Sequence, residues 1–166
     1  MCRPRRFSAV ASLAALLLLV ASSGHTATPD LLREQLRGFA RSTLEISSSQ
    51  GRQWFNIYVA STEQQQMRGL MYVRQLPEDA GMLFPLSAPR LMTMWMKNTL
   101  IQLDMLFIDG KGHIVCLRER TVPQSLDLLD CPVPVKAVLE ISGGQAAKRG
   151  IKLGDSVLFM RASLQQ

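Results

Sequence analysis

The chain has 166 residues, 47% apolar and 19% charged, which excludes an intrinsically disordered protein and fits one globular domain. Nineteen Lys and Arg against 13 Asp and Glu give a formal charge of +6, a surplus that brings nucleic acid or an acidic membrane surface into view. Half of that surplus lies in Arg3, Arg5 and Arg6, just before an uncharged apolar stretch from Ala9 to Ala21, which is too short to span a bilayer as a helix and has the form of an export signal.

Residues 1–27 therefore read as a cleaved signal peptide, with small residues that permit a cut after Ser23 or after Ala27. Arg5-Arg6 lacks the rest of a twin-arginine motif, so the general export route is expected. Removal leaves 16 basic residues against 13 acidic ones with no basic run, an ordinary solvated surface on which nucleic acid is not expected as a partner. The mature protein is expected in the periplasm or secreted, without a stable membrane span.

Thr28 and Pro29 give a helix start, and Leu32, Leu36, Phe39 and Ala40 fall on one face of a helix ending near Arg41. Leu44 and Ile46 then alternate with polar residues as in a short strand. Residues 28–50 are set apart as an N-terminal helix and strand, with a single β domain over 51–166. In that domain Phe55, Ile57 and Val59 alternate with Trp54, Asn56 and Tyr58, a half-buried or fully buried strand. Thr62 and Gln65 have capping-box spacing for a helix from Glu63 to Met71. Strand-length apolar runs follow: Met82 to Leu86, Leu91 to Lys97, Leu103 to Ile108, His113 to Glu119, Val135 to Ile141 and Ser156 to Arg161. Asp109-Gly110-Lys111-Gly112 marks a tight hairpin, and a short helix is expected from Gln145 to Arg149, ended by Gly150. Strands do not alternate with long helices, so the fold class is mainly β, an antiparallel sandwich or barrel of jelly-roll type.

The ordered motifs Gly69-Leu70-Met71, Gly81-Met82-Leu83-Phe84, Trp95-Met96-Lys97-Asn98-Thr99, Leu103-Asp104, Phe107-Ile108-Asp109-Gly110, Val138-Leu139-Glu140, Gly150-Ile151 and Gly154-Asp155 closely resemble the domain of unknown function family 192 (DUF192). These are small exported or membrane-attached prokaryotic proteins, and the resemblance runs from about residue 54 to the C-terminus. It implies a compact, mostly β fold and no established activity. The chain departs from the family pattern at Gln66 and Val73, where a basic residue is usual, and at Gln102, where Pro is usual. Arg68 and Arg74 are candidates to compensate.

The polar residues within the apolar motifs are Arg68, Lys97, Asn98, Thr99, Asp104, Asp109, Glu140 and Asp155. Arg68, Lys97, Asn98, Thr99 and Asp104 form the candidate ligand-binding set, because donors at the end of a strand are displayed on a rigid scaffold. A non-enzymatic domain binding a small polar ligand, an envelope polysaccharide or an envelope protein is the leading expectation. Asp104 and Glu140 form an alternative acid and base pair for hydrolysis of envelope carbohydrate, if they share one cleft. Met92, Met94 and Met96 recur at period two and form an alternative Cu(I) site, since thioethers are soft ligands; core filling is the competing role. Past the signal the only histidine is His113, so neither a zinc site nor a Ser-His-Asp triad is expected, and no dinucleotide or phosphate loop implies a cofactor. Cys116 and Cys131, 15 residues apart, are either a disulfide or two free thiols, Cys116 buried in a strand and Cys131 in a loop beside Pro132.

Overall fold

A computed structural model describes residues 29–160; the signal segment, its cleavage sites, Thr28 and Arg161 lie outside them. Helix α1 (Pro29–Gln35) buries Leu32, with Leu36 buried in the turn that follows, and it ends earlier than the apolar spacing suggests. The reason is Gly38, which takes φ +90°, a left-handed backbone that costs glycine little and stops a helix. Phe39 and Ala40 therefore leave the helix and lead into β1 (Ala40–Ser48).

Strand β1 forms a hairpin with β2 (Gly51–Val59), in register from Ala40 opposite Val59 to Ser48 opposite Gly51. The division expected at residue 50 runs through the turn of this hairpin, and β1 lies inside the sheet between β2 and β7 (Ser156–Met160). The capping box forms as expected: Gln65 N–H donates to Thr62 Oγ1, and Gln65 Oε1 accepts from Thr62 N–H. It opens α2 (Glu63–Arg68), which Gly69 closes.

The next strand, β3 (Ala80–Met94), absorbs two of the expected strands. Its register against β6 (Leu129–Ser142) shifts between Pro85 and Met92. Ser87 to Arg90 thus form an exposed irregularity inside one long strand, where bulging bends the chain without reversing it. β4 (Leu103–Ile108) and β5 (Ile114–Arg118) close around the predicted hairpin, and α3 (Gln145–Lys148) follows β6. The strand order is β5-β4-β6-β3-β2-β1-β7. One pair corrects the all-antiparallel expectation, since β2 and β3 run parallel. The stretch from Ala60 to Asp79, with α2 in it, returns the chain to the same end of the sheet, as parallel neighbours require.

The sheet curls until its edge strands meet at one end. His113 bridges to Ser156, Ile114 N–H donates to Asp155 O at 3.0 Å, and Val157 N–H donates to Gly112 O at 2.7 Å. Each face of the sheet carries a core. One holds Leu44, Phe55, Leu106, Leu139 and Ile141 under Ala146 and Ile151. The other holds Met82, Phe84, Met105, Phe107 and Val138 under Leu32, Leu36, Leu70 and Val73. On this second face Cys116 and Cys131 are joined by a disulfide with Cα atoms 5.9 Å apart, tying β5 to the part of β6 that runs beyond its pairing with β4. No helix among the described residues is long and apolar enough to cross a membrane.

Candidate functional site

The Trp95-to-Thr99 block is a turn, although the alternation of its methionines suggests a strand through Lys97. β3 ends at Met94. Thr99 N–H then donates to Met96 O at 3.0 Å, and Asn98 takes φ +56°, a conformation Asn adopts more readily than most residues. Tyr72 N–H donates to Asn98 O, and Asn98 Nδ2 lies 3.8 Å from the Met71 sulfur. The turn is thereby fixed against the chain leaving α2. α2 is held in its turn by Gln66, whose amide donates to Ala60 O and to Pro85 O at 3.2 and 2.9 Å.

Between α2, the end of β3 and this turn lies a cavity of about 110 Å³. Arg68, Lys97 and Thr99 line it together with Met67, Met71, Met92, Met94, Phe84 and Trp95. Asn98 faces the adjoining hollow, which shares Met67, Met71, Met92 and Lys97 with the first. Three of the five expected ligand residues therefore meet in one pocket, and Asn98 stands at its edge. Arg68 donates to Gln35 O and lies over the Phe39 ring. The Lys97 ammonium sits 5.1 Å above the Trp95 ring and has no acidic partner among the described residues.

The remaining polar group at this pocket is Glu140. Its cross-strand neighbours are Met82 on β3 and Met105 on β4, both fully buried. Gly81 lets the strands approach there, since a Cβ on it would stand 2.8 Å from Glu140 O. Glu140 is 4% exposed, lines the cavity, and has no hydrogen bond or ion pair among the described residues. Burial alone pushes its carboxyl up to about 8, so at neutral pH it is mostly protonated.

Asp104 does not belong to this site. It is fully buried, and its carboxylate accepts from the backbone N–H of Arg120 at 2.7 Å, of Gly144 at 2.9 Å and of Ala146 at 2.8 Å. It ties β4 to two turns. Met105 lies opposite Glu140, whereas Asp104 lies opposite Ile141; adjacent residues of a strand face opposite ways. The two carboxylates thus project from opposite faces of the sheet, which removes the proposed acid and base pair. The methionine set also changes. Met92 and Met94 line the pocket, but Met96 is buried past the end of the strand and accepts from Thr121 Oγ1 at 3.1 Å. Continued alternation would set Trp95 on the far face from the methionines, but it lines the pocket because the strand has ended at Met94.

The DUF192 sequence profile, described as uncharacterized ACR, matches residues 44–159. The chain belongs to this family. Among solved structures, a chain from Sinorhizobium meliloti 1021, proposed to be a transcription regulator, is 36% identical with a TM-score of 0.71, covering 73% of this chain and 95% of its own. A protein of unknown function from Novosphingobium aromaticivorans DSM 12444 is 35% identical with a TM-score of 0.72, covering 74% of this chain and 87% of its own. No curated protein matches the chain. The departures of this DUF192 member from the family pattern now have places. Gln66 lines the pocket, Val73 is buried in the core, and Gln102 packs on Gly143. Arg68 is the nearby cation that reaches the pocket; Arg74 is not among its lining residues.

The residues that sequence reasoning passed over are Gln66, Met71 and Thr121. Gln66 was visible as a departure from the family pattern, and Met71 as part of a family motif. Thr121 carried no signal, because its Oγ1 serves Met96 and Leu103 only through tertiary contact.

Proposed function

We propose that this DUF192 domain is a non-enzymatic binding protein of the cell envelope, exported by its N-terminal segment, that holds a small polar ligand in the pocket above Glu140. The observation that carries this reading is Glu140 itself. It has no protein partner among the described residues, and its carboxyl oxygens keep contact with solvent through the cavity it lines, whose rim bears Arg68 and Lys97; a carboxyl so placed gains from a partner that the cavity admits. The site combines an apolar wall with a few convergent polar groups, as small-molecule sites do. Its volume, about 110 Å³, is below the roughly 150 Å³ of a cavity that takes benzene, which favours a small molecule over a polysaccharide chain. Thermal unfolding of the purified protein against a panel of small acids, amines, zwitterions and sugars tests the reading. At least one class should raise Tm by several degrees, and the rise should vanish when Met92→Trp fills the pocket. No shift with any class would overturn it.

A second reading has its own observation: Met67, Met71, Met92 and Met94 line the same cavity, a thioether set suited to Cu(I). It replaces the expected trio by exchanging Met96 for Met67 and Met71. Titration with Cu(I) against a competing chelator decides it, and no competition at equimolar protein ends it.

A further inference from the structure

The pocket has a charge order along its depth. Glu140 comes from β6, an interior strand between β4 and β3, and sits at the buried end. Arg68 and Lys97 are exposed at the mouth, and no other charged residue lines the cavity. No ion pair joins Glu140 to either cation, so the pocket keeps an acid and a base apart within one small cavity. Thioether and aromatic side chains make up most of the wall between them, offering contact to a short aliphatic body, with Gln66 and Thr93 as uncharged polar members. Thr99, 6% exposed, adds a hydroxyl there.

We propose that the ligand of this pocket is a small zwitterion of the amino-acid type, its ammonium against Glu140 at the buried end and its carboxylate against Lys97 and Arg68 at the mouth. The inference rests on the pocket being the ligand site. A simple carboxylate would satisfy the mouth and leave Glu140 unpartnered. A simple amine would pair with Glu140 but set a third positive charge beside Lys97 and Arg68. Only a ligand carrying both charges meets both ends, and the ammonium offers the donors that a buried carboxylate needs. Its arrival also changes the protonation of the site. Glu140 is held near 8 by burial alone, so an ammonium entering at pH 7 draws off its proton, with release of about one proton per ligand.

Calorimetric titration of the purified protein with L-alanine, propionate and ethylamine tests this. Alanine should bind at least tenfold more tightly than either half-ligand. Glu140→Gln should weaken alanine at least tenfold and leave propionate unchanged, whereas Lys97→Met, at an exposed position, should weaken alanine and propionate and spare ethylamine. Titrations of alanine in phosphate and in Tris at pH 7 should show the released proton, absent in Glu140→Gln. If propionate or ethylamine binds as well as alanine, or if both variants bind alanine as the parent does, the zwitterion is overturned while the pocket reading stands. If none of the three binds but Cu(I) is taken from the chelator, the zwitterion is likewise overturned in favour of a soft metal ion.

Discussion

Asp104 and Glu140 sit on neighbouring strands of one sheet, both almost without solvent contact, and they have opposite surroundings. Asp104 is met by three backbone N–H groups that converge from two turns. Glu140 lies between Met82 and Met105 with nothing to receive. The first is how a buried carboxylate contributes to architecture, since each charge-assisted hydrogen bond offsets desolvation. The second detracts from stability unless something else fills the gap. Burial alone therefore does not separate a structural acid from a functional one; partner satisfaction does.

The largest effect should come from breaking the satisfied side. Asp104→Ala strands three backbone donors, one of them buried and two partly so, and should cost about 3–5 kcal/mol in urea unfolding; a cost under about 1 kcal/mol would mean that the amides find other partners and that the contrast is false. Glu140 should show the opposite behaviour. Its folded pKa is about 8 against an ordinary 4.5, so the folded state binds the extra proton and stability is full below about pH 4.5. It falls as pH rises toward 8, at about 1.4 kcal/mol per pH unit and on the order of 4 kcal/mol across the window. The difference between parent and Glu140→Gln, followed by denaturation from pH 5 to 8.5, isolates this contribution, and the variant should be the more stable protein at the alkaline end.

A smaller effect sharpens the separation of the two faces. Reducing Cys116–Cys131, which closes a span of 15 residues, should cost about 3 kcal/mol in the chain-entropy picture. The disulfide lies on the Glu140 face, so the cost of Asp104→Ala should be unchanged in reduced protein to within about 0.5 kcal/mol. A larger coupling would show that the two faces act as one unit. Lys97→Met removes an exposed cation over Trp95 and should move stability by no more than about 0.5 kcal/mol, which makes it the clean probe of ligand recognition.

Much of the scaffold was legible. The strand Leu103 to Ile108 has the predicted bounds, and the Thr62 and Gln65 capping box forms as its spacing requires. These are local: a run of apolar residues between turn signals, or a hydroxyl three residues from an amide, carries its own consequence. The misreadings cluster where strands end or bend. Met92, Met94 and Met96 share a parity only while the strand lasts, and β3 stops at Met94. Ser87 to Arg90 read as a break, yet pairing with β6 carries the strand through them.

The sequence by itself determined the apolar alternation that yields a mainly β chain, the helix caps, the hairpin at Asp109 to Gly112, and which polar residues stand among apolar ones, because each depends on neighbours in the chain. Only the tertiary structure decided which of those polar residues are satisfied. Adjacent strands place Asp104 and Glu140 one register step apart and so on opposite faces, and whether an amide reaches a carboxylate depends on turns 16 and 42 residues away.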